Sequence, residues 1–442
     1  MSAEPVVTGA PVAEEPGLRR LERAWERSDA VFALLRLEAW GARPIPLRQP
    51  FIFYLGHLPA FAWRQLGQRL RGLPSFAPAL DLLFERGIDP LDEAAVPAEA
   101  RWPSLAEVLA YRDRVRSALR GELGAGRDRR ARERRLIALV VEHELMHHET
   151  LFYMLHALGG DLKRRPAGVE YAYERQAPVG GQASLSGGRV RLGVGRDELP
   201  YAWDNESPAH EVNVGAFRID LAPVRNAEFL RFVEDGGYRD ARLWTPEAWD
   251  WRARQAVEHP FHWSRDGRGW SLRTLFDVLP LERAGEWPAT VSFAEASAYA
   301  RWRGARLPTE AEFERAAYGT VEESRRHPWG DEPPAPDHGN LDFQRWSPAP
   351  VGSHPAGATP EGVLELVGNA WEWTSTPFAP YPGFQPTAEY PGYSRDFFDG
   401  AHFVLRGASW ATERTLVRRS FRNWFQPHYP YVFAKFRCVD PA

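Results

Sequence analysis

The stretch VVEHELMHHETLFYMLHAL (Val140–Leu158) combines the spacing of a buried helix with four histidines and three glutamates. Its apolar residues recur every three or four positions, and no Gly or Pro occurs from Ala131 to Leu158. This spacing predicts one continuous helix. On that helix His143 and His147 lie one turn apart on the same face, which suits two ligands of one metal ion. A helix with core or surface histidines and no metal is the alternative.

Residues 143–147 also fit the HExxH pattern of zinc peptidases, in which Glu144 would be the general base. His148, Glu149 and His156 crowd the same part of the helix, and this density favours a metal site over unrelated histidines. Glu144 and Glu149 are close enough in sequence to accept hydrogen bonds from the rings of metal ligands. Solvation at the surface is the alternative for Glu144.

Length, charge and cysteine content narrow the class of protein. A chain of 442 residues predicts two or three domains. The net charge of −4 gives no indication of a nucleic acid or anionic membrane partner. Cys438 is the one cysteine, which excludes an intramolecular disulfide and fits the cytoplasm. Met1–Gly17 is interpreted as a disordered tail, and no apolar run is long enough to span a membrane.

The hydrophobic pattern changes along the chain and predicts an α+β protein. We expect a tail over 1–17, a four-helix bundle over 18–162, a linker over 163–188 and a second domain over 189–442. Short strand-like pieces between long loops are typical of that second domain. The predicted helices are Leu18–Ala42, Phe61–Arg71, Leu105–Gly121, Arg129–Leu158, Asn226–Asp235, Ser292–Arg303 and Thr309–Ala317.

Five phrases in the second domain carry a family resemblance. They are RLPTEAEFERAAYG (306–319), PWGDE (328–332), GNAWEWTST (368–376), LRGASW (405–410) and FRNWF (421–425). Together they resemble the formylglycine-generating-enzyme or sulfatase-modifying-factor domain, a variant of the C-type lectin fold. The formylglycine-generating enzymes use a pair of copper-binding cysteines, and this chain has Cys438 alone. Formylglycine generation is therefore not expected.

The N-terminal phrases YLGHLPAF (54–61) and EHELMHHE (142–149) resemble the DinB-like helical group. A DinB-like bundle joined to this lectin-like domain is similar to the ergothioneine-biosynthetic sulfoxide synthases. Those non-haem Fe(II) enzymes use O2 to join a thiol sulfur to the imidazole of hercynine, a trimethylhistidine. The resemblance implies that His57, His143 and His147 bind the iron. Three neutral imidazoles suit Fe(II), although zinc also binds such ligands.

The resemblance also implies two sets of residues for the reaction. In the loop PYPGFQPTAEYPGYSRDFF (380–398) the catalytic phenol falls on Tyr390, with Tyr393 three residues on and Tyr381 as a weaker candidate. Asn423 and Trp424 match positions that line the hercynine pocket, where an aromatic face attracts a trimethylammonium group. Packing in an aromatic-rich domain is the alternative for the tyrosines and for Trp424.

The chain departs from the family at the donor pocket. Members that take γ-glutamylcysteine have an Asp and an Arg where this chain has Phe425 and Tyr429. An Arg grips a carboxylate in a geometry that neither aromatic replaces. Met146 stands where Gln is frequent, and Trp102 falls near the place of another anion-binding Arg. An aromatic pocket with few charges favours a neutral sugar, so we predict the selenoneine synthase branch, which joins hercynine to a selenosugar such as selenoglucose.

Other interpretations stay open at this point. The same chemistry with cysteine or another thiol as donor would make the chain an ergothioneine-type sulfoxide synthase. A zinc peptidase and a lectin-like binding module with a structural metal are the other two. Calcium is a further possible ion, with Asn340, Asp342 and Asn369 as oxygen donors, although turns and caps use the same residues.

Overall fold

The computed structural model describes residues 17–85, 102–124, 131–174 and 180–441. Apart from Gly17, the tail expected at the N-terminus lies outside these residues. The chain forms two compact units, one of Met1–Ala33 with Leu47–Leu145 and the other of Leu34–Pro46 with Met146–Ala442. Within the described ranges no helix is both long and apolar enough to cross a membrane.

The division between the units falls inside one unbroken helix, Ala131–Ala157, which is the helix expected from the opening stretch. A strand, Gln182–Leu185, lies within the segment that we interpreted as a linker. The domain limits 18–162, 163–188 and 189–442 stay a prediction.

The first unit is helical, as predicted. Two of its helices pack on a third, whose buried residues Val108, Tyr111, Val115 and Leu119 recur every three or four positions and form one apolar face. In order, the helices are α1 (Gly17–Phe32), α2 (Phe51–Ala62), α3 (Pro78–Leu83), α4 (Leu105–Gly124) and the first part of α5 (Ala131–Ala157). The helices that pack on α4 are α1 and α2.

Two helix boundaries differ from the predictions. The helix expected over Phe61–Arg71 begins ten residues earlier as α2 and continues as a π-helix over Trp63–Leu70. Because nearly every residue of α2 is buried, it has no polar face and therefore no period to detect. The helix expected over Leu18–Ala42 ends at Phe32.

The second unit has the mixture of short strands, helices and long loops expected of a lectin-like domain. Thr309 and Glu312 form the predicted capping box: the Thr309 hydroxyl accepts the Glu312 N–H at 3.1 Å, and the Glu312 carboxylate accepts the Thr309 N–H at 2.8 Å. The helices after α5 are α6 (Asn226–Glu234), α7 (Pro246–Arg254), α8 (Phe293–Trp302) and α9 (Glu310–Tyr318). These confirm all three predicted helices, and α7 is additional.

Four small sheets organise this unit, with strand orders β1-β4-β12, β2-β3, β5-β6-β7 and β10-β9-β8-β11. The strands are β1 (Gln182–Leu185), β2 (Gly188–Leu192), β3 (His210–Val214), β4 (Phe217–Asp220), β5 (Trp263–Asp266), β6 (Gly269–Arg273), β7 (Val278–Pro280), β8 (Ala370–Pro377), β9 (Phe403–Ala408), β10 (Asn423–Phe425), β11 (Ala434–Lys435) and β12 (Val439–Pro441).

Three of the five family phrases become neighbouring strands of one sheet. GNAWEWTST forms β8, LRGASW forms most of β9, and FRNWF forms β10, with antiparallel pairing of β8 to β9 and of β9 to β10. A fourth phrase supplies α9, whose buried Glu310 and Glu314 pair with Arg406 of β9, each at 2.9 Å. The phrases are therefore parts of one packed layer in which buried charges have partners.

Candidate metal and substrate site

Two of the predicted metal ligands face each other inside the first unit. His57 projects from α2 and His143 from α5, and their Nε2 atoms lie 3.3 Å apart. His147 follows His143 by one turn of the same unbroken helix. One ligand atom from each of the three buried histidines lies within 4.8 Å of the others. The structure thus brings His57, His143 and His147 together, and the group includes neither His148 nor His156.

The tautomer of His57 is set by a backbone group. Its Nδ1 lies 2.7 Å from the carbonyl oxygen of Phe84, so Nδ1–H donates and Nε2 keeps its lone pair toward His143. Gly56 permits this approach, because a Cβ at that position would lie 2.4 Å from the Phe84 ring. The sequence analysis missed Phe84 and Gly56. The sequence does not indicate which backbone carbonyl accepts a hydrogen bond. The glycine directly before His57, in contrast, could have been noticed in the sequence.

Burial keeps His57 and His143 neutral. It lowers the pKa of His57 to about 4, partly offset by the hydrogen bond to Phe84. Burial, and then repulsion from His57, holds the pKa of His143 well below its usual value. Phe61 stacks on His143 with ring centroids 3.7 Å apart, and Phe53 stacks on His57 at 5.1 Å. Neutral imidazoles in an aromatic shell are the form in which histidine binds a metal.

Trp102, which we placed near an anion-binding position of the family, packs edge-on against Phe53 with ring centroids 5.9 Å apart. It therefore belongs to the same aromatic shell, one ring removed from His57. Its indole adds no positive charge to this part of the first unit.

Glu144 turns away from the histidine group. Its carboxylate accepts a hydrogen bond from Ser28 of α1 at 2.5 Å. Burial raises the pKa of Glu144 to about 7, against the opposing effects of Arg116 and Ser28. The expectation that Glu144 supports a ligand ring, or acts as the general base of a peptidase, is therefore not supported by its contacts. It is buried and not surface-solvated, because its helix face meets α1.

Glu149 also has partners other than the ligand rings, all within the second unit. Its carboxylate accepts hydrogen bonds from Trp371 Nε1 at 2.6 Å, Ser409 Oγ at 2.8 Å and Thr412 Oγ1 at 2.9 Å. Burial raises its pKa, and these three donors oppose the shift. Glu149 thus joins the second part of α5 to two family phrases.

One of the predicted tyrosines, Tyr393, lies beside Met146, the helix residue that precedes His147. The Tyr393 hydroxyl donates to Sδ of Met146 at 3.4 Å. The Tyr393 ring stacks on Trp203 at 4.0 Å, and the Tyr390 ring is 5.6 Å from that of Tyr393. Burial raises the pKa of Tyr390 to about 12. Trp203 was missed, since it lies almost two hundred residues away in sequence.

Trp424 and Asn423 lie on β10, in the FRNWF phrase. Trp424 is half-buried, with one face stacked on Phe378 at a centroid distance of 4.2 Å. Its ring stands at 78° to that of Tyr393, 5.4 Å away. The Asn423 side-chain oxygen accepts the Trp424 N–H at 2.9 Å. Phe378 therefore covers one face of the Trp424 ring.

Phe425 and Tyr429, the aromatic replacements, contact each other. Their rings stack with centroids 4.9 Å apart at 16°. Tyr153 of α5 meets both rings edge-on at 6.2 Å. Tyr153 was missed, although it follows Met146 by seven residues and so shares its helix face. The three rings form an aromatic cluster in which Tyr429 is buried and Phe425 half-buried.

Two weaker predictions have structural explanations. The buried hydroxyl of Tyr381 donates to Glu310 at 3.1 Å. Tyr381 therefore packs with the buried ion pairs that join α9 to Arg406 of β9. The Asn340 amide donates to the Asn369 side-chain oxygen at 3.1 Å, and Asp342 pairs with Arg414 at 3.0 Å. Asp342 and Asn369 also have positive φ angles of 57° and 68°, which fits the turn role that we set against calcium binding.

Comparisons with known proteins agree with this architecture. Residues 20–151 match the DinB superfamily, and residues 170–442 match the sulfatase-modifying factor enzyme 1-like domain. A hercynine oxygenase of Mycolicibacterium thermoresistibile is 37% identical over 406 residues, 89% of this chain and 88% of the relative. The chain belongs to the hercynine oxygenase family. Another family member, from Mycobacterium tuberculosis, is 38% identical over 89% of this chain and 91% of its own length.

A fungal relative matches nearly the whole chain. The ergothioneine biosynthesis protein 1 of Neurospora crassa is 30% identical across 96% of this chain, which corresponds to 57% of the fungal protein. The family and the two-domain fold class expected from the sequence are thereby confirmed.

Cys438 is buried, and burial raises its pKa to about 12, so it is far from the thiolate form.

Proposed function

We propose that the chain is a non-haem Fe(II) enzyme that uses O2 to join a selenosugar to the imidazole of hercynine. The observation that carries the proposal is the buried group of three histidines in a member of the hercynine oxygenase family. One imidazole C–H and one Se–H bond are lost while O2 takes up four electrons, which yields the C–Se-bonded oxide and water. The same balance holds for a thiol.

His57, His143 and His147 would hold the iron. Three nitrogen ligands on one side of an ion leave positions open for O2 and a second substrate. Iron held by these residues would supply the redox chemistry that activates O2. Burial keeps His57 and His143 neutral, and Phe84 orients His57. Zinc would bind the same residues, so metal content has to be measured together with turnover.

Trp424 and Asn423 would bind hercynine. A trimethylammonium group has no N–H to donate, so an aromatic face is its natural partner. Trp424 stacks on Phe378, and its ring centroid lies 5.4 Å from that of Tyr393, so a cation bound on Trp424 would lie near the phenol. Met146 contacts the same phenol but cannot hydrogen-bond strongly to an imidazole, unlike the Gln that the family resemblance implies at this position.

Tyr390 and Tyr393 would supply the phenol that steers the reaction. A phenol can give a proton or a hydrogen atom and so favour bond formation over simple oxidation of the donor. Tyr390 keeps its proton at neutral pH, because burial raises its pKa to about 12. Tyr393 stands between Tyr390 and Met146, so it can position the loop.

Phe425 and Tyr429 carry the choice of donor. They form a stack where a charged donor would need a carboxylate and a guanidinium. With Tyr153 they provide apolar ring surface on which the apolar face of a sugar can rest. The alternative donor is cysteine or another thiol, which the names of the relatives favour, since they refer to hercynine and ergothioneine.

Parallel calorimetry and product analysis test the proposal. The anaerobic Fe(II)-loaded protein is titrated with hercynine, and then with selenoglucose, cysteine or γ-glutamylcysteine, and each mixture is exposed to O2 before mass spectrometry. We expect hercynine and then selenoglucose to bind, followed by a C–Se product. A product with cysteine alone would refute the selenosugar assignment and keep the iron chemistry. Failure of hercynine to bind would refute both.

A further inference from the structure

A short 3-10 turn of the second unit contacts both the tyrosine loop and the segment that leads into β10. The turn is Asp204–Glu206, and Trp203 directly precedes it. We call these four residues the bridging turn. All four are buried, although those after Trp203 are polar or charged. Because buried polar groups need hydrogen-bond partners, the partners of this turn show which parts of the chain it holds together.

The carboxylate of Asp204 holds two points of the tyrosine loop, one before and one after the candidate phenols. It accepts hydrogen bonds from the Ser394 hydroxyl through Oδ1 and from the Thr387 N–H, at 3.4 Å, through Oδ2. Between these points the Tyr390 N–H donates to the Thr387 carbonyl oxygen at 3.3 Å, and the Tyr393 N–H donates to the Tyr390 carbonyl oxygen at 3.1 Å. One carboxylate therefore closes the part of the loop that contains both tyrosines.

The two neighbours of Asp204 hold the same end of the loop. The Asn205 amide donates to Ser394 Oγ at 2.9 Å. Trp203 stacks on Tyr393, with ring centroids 4.0 Å apart and an interplanar angle of 26°. Ser394 is fully buried, so water cannot replace these partners when they are lost. The backbone at the end of the loop and the Tyr393 ring are therefore fixed together.

The other side of the bridging turn holds the segment before β10. The Glu206 carboxylate accepts from Ser420 Oγ at 2.5 Å and from Arg418 Nε at 2.8 Å. The Asn205 carbonyl oxygen accepts from Nη1 of Arg422, the residue directly before β10, at 3.1 Å. The turn thus joins the tyrosine loop to the strand that carries the candidate hercynine residues.

The position of the phenols depends on these contacts, because residues 387–394 contain no helix or strand. The Tyr393 ring is nevertheless held 5.4 Å from that of Trp424, at 78°. A reactive group on a loop keeps its place only when other side chains support it. A displacement of about 1 Å can lower a rate about a hundredfold. Support of this loop therefore affects the reaction as well as stability.

We propose that Asp204 is a positioning residue, which holds the pair of tyrosines at Trp424 by closing segment 387–394 onto the bridging turn. Asp204 acts through Ser394 and Thr387. The inference rests on the function proposed above for what the phenol does, whereas the closure of the loop can be measured by itself.

Hydrogen exchange of the full chain, read by mass spectrometry of peptides that span 387–394, measures the closure. We expect Asp204→Ala to speed exchange of these amides by about tenfold or more, because the closed loop loses two hydrogen bonds. Asp204→Asn keeps an acceptor oxygen for Ser394 and should recover most of the protection. Glu234→Ala, at an exposed position of α6, should leave this segment unchanged. Equal exchange in Asp204→Ala and wild type would overturn the proposal.

Product analysis of the iron-loaded proteins measures the positioning. At iron content and hercynine affinity equal to wild type, Asp204→Ala should shift the ratio of adduct to oxidised donor by about tenfold, and Asp204→Asn should restore most of it. Ser394→Ala removes the same link and should give the same shift, which keeps the test available if Asp204→Ala does not fold. The two alanine substitutions together should shift the ratio no further than one of them.

Two results separate this inference from the function on which it rests. Faster exchange over 387–394 with an unchanged product ratio would overturn the positioning role of Asp204 and keep the proposed function. If wild type formed no adduct with hercynine and any of the donors, the proposed function would fail, and exchange alone would decide whether Asp204 closes the loop.

Discussion

The hydroxyl of Tyr393 lies 3.4 Å from Sδ of Met146, the residue directly before His147 on α5. This contact connects the tyrosine loop to the helix that carries two of the three candidate ligands. Tyr390, whose phenol we assign to the reaction, is one ring further away, with its centroid 5.6 Å from that of Tyr393. The two tyrosines therefore have separable roles.

Phenylalanine variants distinguish these roles. We expect Tyr390→Phe to keep iron and hercynine binding but to shift products from the C–Se or C–S adduct to oxidised donor, because the phenolic proton is lost. Tyr393→Phe keeps the stack on Trp203 and should lower the rate by about tenfold or less without changing the product. Mass spectrometry of single-turnover mixtures measures both. If only Tyr393→Phe changed the product, Tyr393 would be the phenol that acts in the reaction and Tyr390 the positioning residue.

Removal of any one imidazole should abolish iron binding. Replacement of His57, His143 or His147 by Ala leaves two ligands, so we expect the iron content to fall from about one to near zero per chain. His428→Ala, at an exposed histidine of the second unit, should retain full iron. Metal analysis after anaerobic loading and desalting makes the comparison. Unchanged iron in all three variants would place the metal elsewhere.

Because Phe425 stacks on Tyr429, we expect charged substitutions at these two positions to have coupled effects on stability. Tyr429 is buried, so Tyr429→Arg alone should destabilise the protein by about 2 kcal/mol or more. Because the two rings touch, an aspartate introduced by Phe425→Asp would meet that arginine. We expect the double variant to recover about 1–3 kcal/mol relative to the sum of the single variants. Urea denaturation of all four proteins measures this coupling.

The same double variant tests donor choice. A paired Asp and Arg would bind a charged amino acid donor, so turnover with γ-glutamylcysteine should appear while turnover with selenoglucose decreases. Phe425→Leu with Tyr429→Phe is the uncharged control and should not gain the new donor. Equal donor preference in the charged and uncharged double variants would remove these positions from the specificity argument.

Particular residues show how far the sequence could predict the site. His143 and His147 follow from helical spacing, whereas Trp424 and the two tyrosines follow from the family resemblance. His57 came from resemblance alone, because α2 is buried on all sides and shows no period. The directions of Glu144 and Glu149 could not be predicted, since they depend on which elements meet each face of α5. Tyr153 could have been predicted, because its spacing from Met146 puts both residues on the same helix face.

Glu144 predicts a stability change with pH. Its folded pKa is about 7, because burial outweighs Arg116 and Ser28, whereas an exposed glutamate titrates near 4.5. Folding therefore takes up a proton between these values, and the stability of the wild type falls as pH rises through this window. Glu144→Gln cannot titrate but can still accept from Ser28. We expect it to gain about 3 kcal/mol relative to wild type between pH 4.5 and 8.

Urea denaturation of the metal-free proteins at several pH values measures this gain. Iron loading of Glu144→Gln should equal that of wild type, because the carboxylate contacts α1 and not the histidine group. A constant stability difference across the pH range would contradict the raised pKa. Loss of iron in this variant would instead return Glu144 to the metal site.

Glu149 tests how α5 is held to the family phrases. Glu149→Ala leaves Trp371, Ser409 and Thr412 without their shared acceptor, so we expect a loss of about 3 kcal/mol or more in the free energy of unfolding. Glu149→Gln keeps one oxygen for Trp371, and the hydroxyls can turn to accept from the amide, so its loss should be nearer 1 kcal/mol. Glu247→Ala, at an exposed position of α7, should stay within about 0.5 kcal/mol of wild type. If the Ala and Gln variants lost equal stability, a demand for negative charge, and not the number of donors, would explain why a carboxylate occupies this position.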